Sequence, residues 1–193
     1  LKWLPIVFLL IALSVVASTF KWKILLKAQS VSVGFAALFG YYISGLFFNN
    51  FLPSSIGGDG VRIYLAGKKT DNFSSAASSV VVERVLATVT LAFLGIVSAI
   101  FAQKPSKLAV ILLIALFIVG ILLTCVLLTG WMPKFLKNKD GKISKAWSSF
   151  STSSGELKNH PNELAICLIE SIVFQIIVSL VIGAVMKGLN LPI

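Results

Sequence analysis

Four long apolar runs, separated by short polar segments, set the hydrophobic pattern of this chain. They cover about residues 4–26, 73–102, 108–131 and 163–185, and each has roughly the 20 residues that a helix needs to cross a bilayer core. A fifth apolar run begins near residue 33 and is stopped by Pro53. The pattern predicts an all-α, polytopic helical membrane protein with a single transmembrane domain over residues 1–193.

The lysines predict the topology, because cytoplasmic loops carry an excess of basic residues. If the first and third spans both end in the cytoplasm, the second span must begin there. Residues 33–69 must then enter and leave the membrane on the same side, as a re-entrant helical hairpin. Eleven lysines then lie inside, namely Lys21, Lys23, Lys27, Lys68, Lys69, Lys134, Lys137, Lys139, Lys142, Lys145 and Lys158, and four lie outside, namely Lys2, Lys104, Lys107 and Lys187.

Residues 142–157 lie between the last two spans and carry Ile143, Ala146, Trp147, Phe150 and Leu157 at helical spacing. This spacing favours an amphipathic helix on the cytoplasmic interface. The serine run in the same segment equally fits a solvated linker anchored by one tryptophan. Both interpretations stay open at the level of sequence.

The composition agrees with a membrane protein. Of 193 residues, 57% are hydrophobic and 12% are charged, whereas soluble domains carry roughly 25% charged residues. The net charge of +10 comes from lysines beside apolar runs, which favours contact with anionic lipid headgroups over nucleic acid. The chain lacks an initiator methionine and stops just after an apolar run, so we expect a fragment of a longer membrane domain.

Cysteine and histidine do not point to a metal or redox site. Cys125 and Cys167 lie inside apolar runs and are expected to be buried hydrophobic residues. His160 precedes Pro161 in a polar segment and has no Cys or His partner nearby in sequence. We therefore predict no metal and no cofactor.

Charged residues inside the apolar zone are the candidates for function. Asp59 and Arg62 lie at the tip of the predicted hairpin, and Glu83 and Arg84 lie about ten residues into the second span, roughly 15 Å deep. A lone charge at that depth costs at least ~2.5–3.5 kcal/mol. We therefore predict two ion pairs, Asp59–Arg84 and Arg62–Glu83. These pairs either fasten the hairpin to the second span or also bind a charged group. Glu170 is a further acid in the last span.

The glycines at the hairpin tip favour binding. Gly57 and Gly58 precede a short predicted helix, for which Asp59 is the expected N-cap. Free backbone amides at a helix start attract anions, and an arginine one turn into the helix, Arg62, completes such a site. Lipid phosphate is the most abundant anion in this environment.

Small residues predict where helices approach closely. One stripe, Ala36, Gly40 and Ser44, recurs every four residues in the fifth apolar run. Another run of small residues, 74–79, opens the second span. Both are expected to face neighbouring helices around the charged residues.

Three short motifs resemble the transmembrane region of the lysylphosphatidylglycerol synthase/flippase family and its stand-alone relatives. They are Asn-x-x-x-Pro, Gly-Gly-Asp-x-x-Arg and Ser-x-x-x-Glu-Arg, and here they comprise Asn49, Pro53, Gly57, Gly58, Asp59, Arg62, Ser79, Glu83 and Arg84. The resemblance covers residues 4–102 well and the later spans only by hydropathy. It implies a lipid-translocating membrane domain with re-entrant helices, sometimes joined to a soluble aminoacyl-transferase domain that this sequence does not contain.

The expected function is therefore lipid translocation in the cell (inner) membrane, with a phosphate-bearing headgroup as ligand. The expected headgroup-binding residues are Gly57, Gly58, Asp59, Arg62, Glu83 and Arg84, supported by Asn49, Pro53, Ser79 and Glu170. The expected partner is an anionic, aminoacylated or glycosylated lipid, together with a second copy of the chain or a lipid-modifying enzyme. Two alternatives stay open: a non-catalytic subunit of a lipid-modifying system, and a membrane scaffold. No catalytic motif is visible, so we do not predict an enzyme.

Overall fold

Seven α-helices make up the part of the chain that the structure, a computed structural model, describes: residues 3–51, 56–102, 105–131 and 141–189. A 3₁₀ turn at Leu157–Asn159 precedes the last helix. The helices are α1 Leu4–Ala28, α2 Phe35–Asn49, α3 Ile56–Thr70, α4 Phe73–Phe101, α5 Lys107–Thr129, α6 Lys142–Glu156 and α7 Pro161–Gly188.

Four of these helices, α1, α4, α5 and α7, are long and apolar enough to cross a membrane. They coincide with the four predicted spans to within a few residues, so the prediction of an all-α, multi-pass membrane protein is confirmed. The ends follow local chemistry. The side chain of Asn72 accepts a hydrogen bond from the amide of Ser75 at 3.0 Å and caps α4, while Gly130, at φ +62°, ends α5 in the left-handed conformation that glycine favours.

Contacts between the helices give their directions. In α1 and α7, Lys21 contacts Ser171 and Trp3 contacts Lys187, so the two helices run antiparallel. Between α4 and α5, Phe93 contacts Phe117. An added Cβ on Gly120 would touch Val89, and one on Gly95 would touch Leu113, so these helices are antiparallel as well. Gln29 near the end of α1 bonds Ser78 near the start of α4. The ends of α1 and α5 and the starts of α4 and α7 therefore meet at one end of the bundle, the order that the lysine pattern requires.

Helices α2 and α3 form an antiparallel hairpin beside α1 and α4. Each has 15 residues, about 22 Å at 1.5 Å per residue, whereas the hydrocarbon core is ~30 Å thick. Because Gly67 contacts Phe73 while Asp59 contacts Arg84, α3 runs antiparallel to α4 and its first turn lies beside the middle of that helix. The lengths fit the predicted re-entrant path, which stays a prediction. Pro53 lies outside the described residues.

Two groups of buried apolar side chains hold the bundle together. One joins α1 to the hairpin and the start of α4 and contains Trp22, Leu26, Val31, Val33, Leu38, Ala66, Ala76 and Val80. The other joins α1, α4 and α7 and contains Leu25, Ala28, Val82, Leu86, Leu157 and Cys167. Cys167 is buried as predicted, whereas Cys125 is exposed on α5, so the expectation for that cysteine is wrong.

The predicted small-residue faces have different outcomes. On α4, Ser75, Ser78 and Ser79 are buried, which confirms close packing there. On α2 the predicted stripe is wrong, because Ala36 and Gly40 are exposed. The close approach is made instead by Gly45, where an added Cβ would lie 2.8 Å from the carbonyl oxygen of Gly58. Position 45 lies one residue off the stripe, on the helix face that meets α3.

Residues 142–156 form a helix, so the linker interpretation is wrong for this segment. Serines of α6, among them Ser153 and Ser154, are buried against the bundle, and the hydroxyl of Ser153 lies 3.2 Å from that of Ser75 on α4. Ile143 is 75% exposed and Trp147 is 36% exposed, whereas Leu157, the first residue of the turn that follows, is buried. The predicted position of α6 on the membrane interface stays a prediction.

Candidate functional site

Two ion pairs join the first turns of α3 to the middle of α4. A terminal nitrogen of Arg62 donates to Glu83 Oε2 at 2.6 Å. Arg84 donates through Nε to Asp59 Oδ2 at 2.8 Å and through a terminal nitrogen to Asp59 Oδ1 at 2.7 Å. Both predicted pairings are confirmed. The second pair has the two-pronged geometry in which arginine binds planar anions most strongly.

The Arg62–Glu83 pair lies in the interior of the bundle. The side chains of Arg62 and Glu83 are 3% and 6% exposed. The Arg62 guanidinium lies between two aromatic rings, with its central carbon 4.6 Å from the ring centres of both Trp22 and Tyr42. A desolvated arginine is stabilised by such ring faces. Its Nε has no hydrogen-bond partner among the described residues. Four helices, α1 to α4, thus contribute to the surroundings of this one cation.

Trp22 is fixed by a hydrogen bond of its own. Its ring nitrogen donates to the hydroxyl of Ser79 at 3.0 Å, and that hydroxyl donates to the carbonyl of Ala76 at 2.9 Å. Ser79, which precedes Glu83 by one turn in the Ser-x-x-x-Glu-Arg motif, therefore positions the ring that covers Arg62. The hydrogen bond to Trp22 gives a structural reason for the supporting role predicted for Ser79.

Asn49 joins the two helices of the hairpin. Its side-chain oxygen accepts a hydrogen bond from the amide of Gly58 at 2.8 Å. A Cβ on Gly58 would collide with Asn49 and with the carbonyl of Gly45. The glycine at this position is thus required by the close approach of α2 and α3. Because the amide of Gly58 donates to Asn49, this amide is not free to bind an anion.

The predicted anion site of Gly57, Gly58 and Arg62 is not assembled as expected. Helix α3 begins at Ile56, so Asp59 lies in its first turn and is not the N-cap. A carboxylate in the first turn still interacts favourably with the positive helix end, which explains why the residue suits the position. The amide of Gly58 is occupied by Asn49, and Arg62 faces the interior.

Arg84 is the accessible charge of the group. Its side chain is 50% exposed, while that of its partner Asp59 is 14% exposed. The pair with Asp59 uses two of the five N–H donors of the guanidinium. The remaining donors allow Arg84 to bind a phosphate oxygen without leaving Asp59. Arg84, not Arg62, is the residue of this cluster that a ligand can reach.

Lys21, one of the lysines predicted on the cytoplasmic side, is buried inside the bundle. It is 2% exposed and lies seven residues before α1 ends, so it is not part of a cytoplasmic loop. Its Nζ donates to the hydroxyl of Ser171 at 3.2 Å and lies 5.6 Å from the ring centre of Phe174. Ten lysines remain on the predicted inner side, so the bias survives.

Glu170 belongs to the surroundings of Lys21. It lies on α7, is only partly buried, and experiences the charge of Lys21. No contact among the described residues joins it to Asp59, Arg62, Glu83 or Arg84. Its predicted role in supporting the headgroup site stays untested. Within the described ranges, no three His, Cys, Asp or Glu side chains come together as a metal site needs.

Comparison with known proteins identifies the family. A family model described as the lysylphosphatidylglycerol synthase TM region matches residues 1–193. The chain belongs to this family. The match extends over α5 to α7 as well as over the three motifs, so it is broader than the resemblance seen in residues 4–102.

The chain is also similar in sequence to a UPF0104 membrane protein of Methanothermobacter thermautotrophicus (strain Delta H). It is 36% identical to this chain over 84 residues, which are 42% of this chain and 25% of that protein. The matched segment is thus a quarter of the relative. No solved structure matches this member of the lysylphosphatidylglycerol synthase TM family.

Proposed function

We propose that this membrane region binds the phosphate of a lipid headgroup at the Asp59–Arg84 pair and carries the lipid between the two leaflets. The observation that carries the proposal is the half-exposed guanidinium of Arg84, eleven residues into a membrane-spanning helix and held by a single carboxylate. Charged residues at such depth generally face a ligand path or a wet cavity. The family description names a phosphate-bearing lipid, which agrees with this assignment.

The two ion pairs have different roles in this proposal. Arg62 is covered by aromatic rings and Glu83 is buried beside it, so breaking that pair leaves a buried charge and costs several kcal/mol. Arg84 is open on one side and can exchange part of its contact with Asp59 for a phosphate oxygen. The inner pair then holds the hairpin against α4, and the outer pair binds.

The test is headgroup transfer in vesicles that contain the purified protein. Phosphatidylglycerol with a fluorescent headgroup is placed in both leaflets, and a membrane-impermeant reductant quenches the outer one. Active protein raises the quenched fraction above one half. We expect Arg84→Gln to abolish the rise, and Arg84→Lys, which keeps the charge but loses the two-pronged geometry, to reduce it.

Lys27→Gln serves as the matched control, because Lys27 is an exposed cation in the last turn of α1. It removes the same charge from the chain, away from the ion pairs. Size-exclusion profiles verify that each variant is folded. A folded Arg84→Gln protein that transfers headgroups as fast as the unaltered chain refutes the proposal.

A second candidate function is a non-catalytic membrane subunit of a lipid-modifying system. It is favoured by the family description, which names a synthase. Native mass spectrometry separates the candidates. A lipid retained by the unaltered protein and lost from Arg84→Gln, without any leaflet transfer in vesicles, favours the subunit. The same spectra report whether the protein binds an aminoacylated or a glycosylated lipid, and whether it forms a homo-oligomer. We propose the cell (inner) membrane as its location.

A further inference from the structure

Lys21 is buried in the bundle without a close carboxylate. It is 2% exposed, and its Nζ donates to the hydroxyl of Ser171 at 3.2 Å and lies 5.6 Å from the ring centre of Phe174. No carboxylate oxygen of the described residues lies within 4.0 Å of this nitrogen. A buried ammonium is costly unless it is paired with an opposite charge. Lys21 therefore differs from Arg62 and Arg84, each of which has its own carboxylate.

This lysine lies close to both ion pairs. It directly precedes Trp22, whose ring covers Arg62, and it lies about 10 Å along the helix from the end of α1. On the hairpin, Arg62 packs against Trp22 and against Tyr42. The charged and titratable groups that act on Lys21 most directly lie on α4 and α7 and are Glu83, Arg84, Cys167 and Glu170. A change in the charge of Lys21 therefore changes the electrostatic potential at both ion pairs.

The charges of this inner group, defined here as Lys21 together with the two ion pairs, do not balance when Lys21 is protonated. The carboxylates of Asp59 and Glu83 are matched by the two arginines, and Lys21 adds a third cation. Glu170 is only partly buried and lies outside the group, because its carboxylate does not come within 4.0 Å of Lys21. The inner group is thus neutral when Lys21 is an amine and positive when it is an ammonium.

The contacts of Lys21 suit both states. The hydroxyl of Ser171 donates to the carbonyl of Cys167 at 2.8 Å, so it acts as an acceptor towards Lys21. One acceptor leaves fewer N–H donors unpaired on an amine than on an ammonium, which has three. The face of the Phe174 ring, in turn, stabilises the ammonium when it forms. Lys21 can therefore change its charge without a new partner.

We propose that Lys21 takes up one proton when an anionic headgroup binds at Arg84 and releases it when the headgroup leaves. The phosphodiester of the lipid adds one negative charge, which the new ammonium cancels. The proton adds to the lone pair of Nζ, comes from water on the side to which the site is open, and returns to water on release. A net charge at membrane depth is costly, so the empty site favours the amine and the occupied site the ammonium. The proposal rests on the proposed function for the position of the phosphate, and it makes the proton the coupling ion of lipid transfer.

Retention of phosphatidylglycerol by the full chain in micelles, measured as a function of pH, tests this coupling. Because binding requires a proton, retention by the unaltered protein should fall as the pH rises. Lys21→Arg stays charged at every pH, so it should retain the lipid without this pH dependence. Lys21→Met is always neutral and should bind the lipid at least about tenfold more weakly than the unaltered protein at low pH, because the occupied site keeps an uncompensated charge.

Matched controls are Lys27→Arg and Lys27→Met, because Lys27 is an exposed cation in the last turn of the same helix. Both should leave the retention and its pH dependence unchanged. If Lys21→Arg does not fold, proton uptake replaces it as the second measurement. In weakly buffered solution, a pH-sensitive dye should report about one proton taken up for each lipid that the unaltered protein binds, and none for Lys21→Met.

Each outcome decides one claim. A pH dependence of retention that is present in the unaltered protein and absent from the Lys21 variants supports the coupling. A folded Lys21→Met protein with the affinity and the pH dependence of the unaltered chain overturns it. A pH dependence that survives in Lys21→Met and disappears in Glu170→Gln overturns it as well, because Glu170 then carries the proton. Retention that persists in Arg84→Gln overturns the proposed function, whereas a lipid lost from Arg84→Gln but bound normally by Lys21→Met overturns the coupling alone.

Discussion

Removing the acid from each ion pair should have unequal effects on stability. Glu83→Ala leaves Arg62 charged, 3% exposed and with only a longer contact to a carboxylate, 4.0 Å from its terminal nitrogen to Asp59 Oδ1. Loss of one partner of a buried pair costs about 3–5 kcal/mol. Asp59→Ala leaves Arg84 half exposed, and in the wet cavity that the proposed function requires beside Arg84, a pair that faces water contributes only about 0.2–1 kcal/mol. We therefore expect a difference of at least about 2 kcal/mol between two variants that each delete one carboxylate.

The measurement is equilibrium unfolding in mixed micelles, followed by tryptophan fluorescence. The double change of Arg62 and Glu83 to leucine is the decisive control, because it removes both charges and leaves neither buried alone. It should recover part of the stability lost in Glu83→Ala. Equal costs for Glu83→Ala and Asp59→Ala contradict the division into an inner and an outer pair. A double variant as unstable as the sum of its single changes contradicts the pairing itself.

Three further predictions use the same unfolding assay or site-specific labelling. Gly58→Ala should destabilise the hairpin by about 1–3 kcal/mol, since the added methyl group meets the backbone of α2. Gly60→Ala should be neutral or stabilising, because there is open space where its Cβ would lie. Equal melting curves for the two variants would show that the hairpin is not closely packed. Trp22→Phe keeps a ring over the Arg62 guanidinium but loses the hydrogen bond to Ser79, so it should lower the free energy of unfolding by about 1 kcal/mol. An unchanged free energy of unfolding would show that this hydrogen bond does not stabilise the protein. In a background without native cysteines, a cysteine replacing Lys69 should react with an impermeant reagent only from the cytoplasm and one replacing Lys107 only from outside; outside reaction at position 69 would replace the re-entrant hairpin with an ordinary span.

The sequence predicted the spans and the pairing of charges because both follow from local rules. Span length depends on the bilayer thickness, and two acids and two arginines at similar depth compensate one another. Two separate motifs singled out Asn49 and Ser79, although the contacts of these residues, with Gly58 and Trp22, appear only in the structure.

The accessibility of each charge could not be predicted, because it depends on which helix faces meet. Arg62 and Arg84 look equivalent in sequence, yet Trp22 and Tyr42 cover only the first. These rings come from helices that precede Arg62 by 20 to 40 residues, and no spacing rule connects them. The burial of Lys21 could not be predicted for the same reason: a lysine near the end of a span normally reaches the interface, whereas this one contacts Ser171 and Phe174 of α7.

The inner ion pair also constrains how the protein is made. Arg62 leaves the ribosome 21 residues ahead of Glu83, so during synthesis its guanidinium lacks the closer of its two carboxylates and has only Asp59, at 4.0 Å. An arginine in hydrocarbon without a partner costs at least ~2.5–3.5 kcal/mol. Only two residues, Asp71 and Asn72, separate α3 from α4, and the acid follows as soon as the first turns of α4 have emerged. Insertion of the predicted hairpin together with α4, as a single assembly step, avoids this cost.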